Sequence, residues 1–132
     1  MTPDNNLTEI ENDFLASWDM IEAFYMRLSN SKGWEWLSPI FGLIAELREQ
    51  GYDRKLRAGQ AVYLFMLSRS RKHGLRPDQA FLRITLQPNG GMVVGYCEPL
   101  ENEFSEEINV ETVELTAEVE TLLARLLAFP ID

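Results

Sequence analysis

One cysteine, Cys97, and one histidine, His73, are all the chain has of either residue. A single cysteine excludes an internal disulfide and a thiolate metal cage, and a single histidine excludes the common zinc ligand sets. The longest unbroken apolar run, residues 61–67, falls far short of the ~20 residues that a membrane-spanning helix needs. The opening stretch, Met1-Thr2-Pro3-Asp4, is polar and acidic, unlike a Sec-type signal peptide. Glycine-rich phosphate cradles of the Walker and dinucleotide types are missing, and the acidic run 98–107 lacks the glycine-turned loop of a calcium site. These absences give the expectation of a cytoplasmic chain with no cofactor, no metal and no membrane partner.

Apolar residues, by contrast, are plentiful. At 132 residues with 45% hydrophobic and 11% aromatic content, the chain has enough apolar mass for one core, and a single domain over 1–132 is expected. Charge is sorted along its length. Residues 48–83 hold nine of the twelve bases against three acids, a net of +6, whereas 1–47 carry −6 and 84–132 carry −9. Such a basic middle between acidic arms neutralises itself, binds an anion or pairs with a second copy. The overall charge of −9 and the sequence pI near 4.6 disfavour nucleic acid as a general partner.

Periodicity places most elements. Ile10, Phe14, Trp18, Ile21, Tyr25 and Leu28 form one stripe at helical spacing over 8–28, with Thr8 and Glu11 as a capping box. Asp19 and Glu22 then share a face turned to water. A second helix is expected from Pro39 to about Gln50, with Ser38 as N-cap and Gly51 as a left-handed C-cap. Over 53–75 the apolar run is compatible with strand or helix. Asp53 as a cap and the cations of 68–73 as a charged last turn favour a third helix.

Residues 81–87 alternate, and Asn89-Gly90 suits a two-residue type I′ hairpin spanning 81–97. With that loop the pairs are Leu86–Val93, Ile84–Gly95 and Leu82–Cys97. Met92, Val94 and Tyr96 then fall on the second face, with Arg83 over Tyr96. A third strand over 108–115 and a C-terminal helix over about 116–128, capped by Thr116, complete the chain. The expected architecture is α+β: three N-terminal helices, a short antiparallel sheet and a closing helix.

No catalytic residue emerges. A Cys97–His73 dyad would need a thiol that the pattern puts on an apolar strand face, where cysteine is an inert small hydrophobe. The sharpest basic cluster is Arg69, Arg71, Lys72 and Arg76, with His73 among them. It reads either as a neutralised helix end or as an anion, nucleotide or RNA contact. Aromatic interleaving, the mark of single-strand binding, is absent from 68–76. Trp34, Trp36, Phe81, Val94 and Tyr96 add apolar surface that one small domain does not cover, and such patches mark interfaces. The leading expectation is a small non-enzymatic interaction domain, a homo-oligomer or the subunit of a protein partner. The alternatives are an anion or RNA binder through 69–76 and an acidic inhibitor or immunity-like protein.

Overall fold

Helix α1 (Asn5–Ser29) follows the apolar stripe and begins upstream of Thr8, so Thr8 lies within the helix and is not its cap. The computed structural model describes residues 5–71, 78–101 and 103–131. A 3-10 turn (Glu35–Leu37) leads into α2 (Ile40–Glu49). Pro39 takes the N-cap position there, and Ser38 contributes its carbonyl, which accepts from the Phe41 N–H at 3.2 Å. Gly51, at φ 87°, ends the helix in the left-handed region as expected.

The expected third helix is a β-hairpin. After a second 3-10 turn (Tyr52–Arg54), β1 (Arg57–Ala61) and β2 (Leu64–Ser68) pair antiparallel around a two-residue turn at Val62-Tyr63. The physical reason is burial on both faces. Phe65 and Leu67 enter the core, while Met66 and Ser68 are buried on the opposite side, so an apolar run with no alternation serves a central strand. The proposed helix cap, Asp53, is engaged elsewhere: its carboxylate accepts from Arg48 at 3.0 Å.

Strands β3 (Phe81–Leu86), β4 (Met92–Cys97) and β5 (Glu106–Val110) extend the sheet in the order β1-β2-β3-β4-β5, all antiparallel. The β3–β4 hairpin sits where expected but one residue out of register. Leu86 pairs with Met92, Ile84 with Val94 and Leu82 with Tyr96. Pro88 decides this. Its fixed φ suits the second position of a type I turn, and the Gly90 N–H donates to the Gln87 carbonyl at 3.0 Å. Only Gly90, at φ 97°, takes the left-handed conformation, so the loop has three residues and the two-residue type I′ turn does not form.

That shift turns Met92, Val94 and Tyr96 inward. They join Phe65, Leu67, Leu82, Ile84 and Leu86 on the face that packs against Trp18, Tyr25, Leu43, Ile44 and Leu47 of α1 and α2. Helix α3 (Ala117–Leu127) closes the same core with Val119, Leu122, Leu123 and Leu126. The Thr116 hydroxyl accepts from the Val119 N–H at 3.3 Å, the expected cap. Each fully buried Leu, Ile or Phe of such a core contributes roughly 1.5–3 kcal/mol. The result is a mixed α+β domain with two α-helices, not three, ahead of the sheet.

Helix α1 also covers the outer edge of β1, an otherwise open row of backbone groups. The Trp18 indole N–H donates to the Leu56 carbonyl at 2.8 Å, and the Ala58 N–H donates to the Ser17 hydroxyl at 3.0 Å. At the far end the Tyr25 hydroxyl donates to the Tyr63 carbonyl at 2.9 Å. Burial pushes the Tyr25 phenol well above its ordinary range, because its ionised form would be desolvated. A folded pKa above the unfolded value of about 10 means that the unfolded chain ionises first. Stability is therefore intact below about pH 10 and falls as pH rises beyond it. Tyr25→Phe should flatten that alkaline loss in urea titrations run on both sides of this pH; an unchanged slope would contradict the assignment.

Candidate functional site

Two surface regions gather the residues singled out from the sequence. The first is the corner where β2 ends. Arg69 and Arg71 follow a strand and not a helix, so they are not the charged last turn of a helix of their own. Arg69 donates to two backbone carbonyls, Phe129 at 2.9 Å through Nε and Lys55 at 2.7 Å through Nη1, and so ties the segment after α3 to the loop before β1. Burial lowers its pKa. Arg71 donates to Asp13 at 2.7 Å and lies 3.9 Å from Glu9, both on α1. Lys72, His73 and Arg76 lie outside the described residues.

Arg57, at the start of β1, stands beside them and escaped notice in the sequence. Its Nη1 donates to the Arg71 carbonyl at 2.9 Å, whereas its Nε is buried without a hydrogen-bond partner. Between α1 and β1 two adjoining hollows share Ser17, Met20 and Arg57. One, of about 310 Å³, reaches Asp13 and Arg71; the other, of about 220 Å³, reaches Phe24 and Arg27.

The second region is the turn end of the β1–β2 hairpin. Trp34 and Trp36 stack with ring centroids 5.9 Å apart, and Tyr63 meets them at 5.6 and 5.8 Å. All three rings are half-buried. Next to Tyr63 in the turn, Val62 is 75% exposed and holds φ 59°. A β-branched residue in that conformation is a genuine outlier, at roughly 1–3 kcal/mol of strain. Tyr63 and Val62 were missed because the sequence around them contains no turn dipeptide.

The other expected interface residues do not join this patch. Val94 and Tyr96 are buried in the core by the register described above. Phe81 is half-buried against Phe104 at 5.9 Å on the opposite sheet face. Arg83 lies over Phe104 at 4.2 Å and not over Tyr96; the cation above Tyr96, at 4.4 Å, is Arg125. The Phe104 ring crosses β4 at Gly95, where a Cβ would come within 2.7 Å of it.

Several functional classes find little support in this geometry. The Cys97 thiol is buried, 3.4–3.7 Å from the carbonyls of Glu98, Glu101 and Glu103, and burial raises its pKa. The acidic run is not purely solvated, since Glu98 and Glu106 both accept from Arg125. Among the described residues no group of three His, Cys, Asp or Glu side chains converges as metal ligands, and no helix is long and apolar enough to cross a membrane. No protein-family model, curated protein or solved structure matches the chain.

Proposed function

We propose that the chain is a small protein-interaction module that self-associates through the Trp34–Trp36–Tyr63 end. The observation that carries this reading is Val62. A branched apolar side chain held at positive φ and exposed to water gains nothing from the isolated domain to offset its strain, and such strain persists where a function requires it. The three rings behind it are of the kinds that dominate interface energetics, because Trp and Tyr bury large area with little side-chain entropy to lose. A two-fold contact requires a self-complementary patch. The aromatic surface has one base (Lys32) and one acid (Glu35, between the two tryptophans) in its sequence neighbourhood, so two copies meet there without a net like-charge clash.

A contact between the basic middle of one copy and the 98–107 acids of another is the weaker form of the idea, since Arg48, Arg71 and Arg125 already have internal acidic partners. Light scattering over a wide concentration range, at low and high salt, tests the aromatic form. The mass should rise towards twice that of the chain with little salt dependence, and Val62→Asp should hold the protein as a monomer. Val62→Gly should weaken association while leaving the fold at least as stable, because glycine tolerates positive φ. A wild-type monomer at every concentration, or a dimer that Val62→Asp leaves intact, overturns the proposal.

A further inference from the structure

We infer that the paired hollows between α1 and β1 bind a small organic carboxylate with an apolar body, its head on Arg57 and its tail along Met20 and Phe24. Three observations carry this. Among the described residues, Arg57 uses one of its five N–H donors, on the Arg71 carbonyl, and has no carboxylate partner. Its planar fork matches a carboxylate in a two-bond geometry, which a lysine ammonium cannot offer. The cations Arg27 and Arg71 flank it, with Asp13 in the wall and Glu9 3.9 Å from Arg71, so three cations face two acids and the described groups leave a local charge of +1 in a chain whose net charge is −9. A positive hollow in an acidic surface selects an anion locally.

The remaining wall is apolar. Met20, 71% exposed, and the half-buried Phe24 stand one helical turn apart on α1, with Ile21 beneath them. Methionine is flexible enough to close over ligands of different shape. Ser17 is not available as a ligand group, because its hydroxyl donates to the Phe14 carbonyl and accepts from Ala58. With volumes of about 220 and 310 Å³, the hollows fit an eight-carbon chain or a single aromatic ring more readily than a nucleotide.

Calorimetric titration of the full chain with octanoate should give saturable binding that weakens as salt increases. Octanol should bind at least about tenfold more weakly, as should inorganic phosphate, since each lacks half of the recognised chemistry. Arg57→Met, which keeps the aliphatic stem, should lower octanoate affinity by about tenfold or more, and Arg57→Lys should recover only part of it. Met20→Asp supplies an independent check at an exposed position that does not hold the fold together; it should abolish binding with the thermal midpoint unchanged. No saturable octanoate binding overturns the inference. So does binding that Arg57→Met and Met20→Asp both leave unchanged, or equal affinity for octanol or phosphate. None of these outcomes depends on whether the aromatic end self-associates.

Discussion

Val94→Asp is expected to unfold the domain, whereas Val93→Asp, one residue away, leaves it folded. Val94 is fully buried in the centre of β4, between Ile84 of β3 and Ile108 of β5. A carboxylate there finds no cation, and an unpaired buried charge costs several kcal/mol even after it neutralises itself by taking a proton. Adding the lost apolar burial gives about 4–6 kcal/mol, against a total stability of about 5–15 kcal/mol for a domain. Val93 points to the opposite face, half-buried between Thr85 and Asn109, where a carboxylate meets water and the expected loss is about 1 kcal/mol. Circular dichroism with thermal melts separates the two variants. A melted Val93→Asp beside a folded Val94→Asp would restore the two-residue loop and sink the observed register.

That one-residue difference explains much of what the sequence could and could not reveal. The alternation of β3 was legible, and so was the hairpin, because both are local signals. Its register was not, because Asn89-Gly90 and Pro88 favour different loops and the proline's fixed φ prevails. With the register moved, the apolar surplus on the second sheet face disappears, and with it the case for Val94 and Tyr96 as interface residues. Helix α3 was readable in full, since a Thr cap and a regular stripe agree with each other. The 61–67 run was not, because it crosses a turn that has no turn dipeptide and runs into a strand buried on both faces, which has no period to read. Tyr63 was therefore hidden as the third ring of the aromatic cluster, although Trp34 and Trp36 were visible. Arg57 was hidden for the same reason: its place beside Arg71 exists only once β1 and β2 fold back on each other.

Removing the Arg48 side chain is the second substitution with a large expected effect. Arg48, on α2, donates through Nε to Asp53 at 3.0 Å and through Nη1 to Asp19 at 3.1 Å and to Glu22. One guanidinium thus joins α1, α2 and the 3-10 turn before the sheet. Asp19 and Glu22, which the sequence suggested would face only water, share this cation. Asp53 is 7% exposed, so Arg48→Ala strands a nearly buried carboxylate beside two others. Breaking a fully buried pair costs about 3–5 kcal/mol; with Asp19 and Glu22 open to solvent, about 2–3 kcal/mol is expected here. Arg54→Ala, at an exposed neighbouring cation, should stay within about 0.5 kcal/mol. Urea denaturation of Arg48→Ala, Asp53→Asn and the double variant should show strong coupling, with the double variant more stable than the two losses added together. Added salt should restore part of the loss in Arg48→Ala, because what remains is repulsion among carboxylates. Additive losses, or indifference to salt, would reduce Arg48 to a packing residue. Arg71 repeats the arrangement on the same helix with Asp13 and Glu9. Arg48 and Arg71, two cations of the basic middle, therefore find counter-charge in the acidic first helix, whereas Arg57, lining the hollow, has no acidic partner among the described residues.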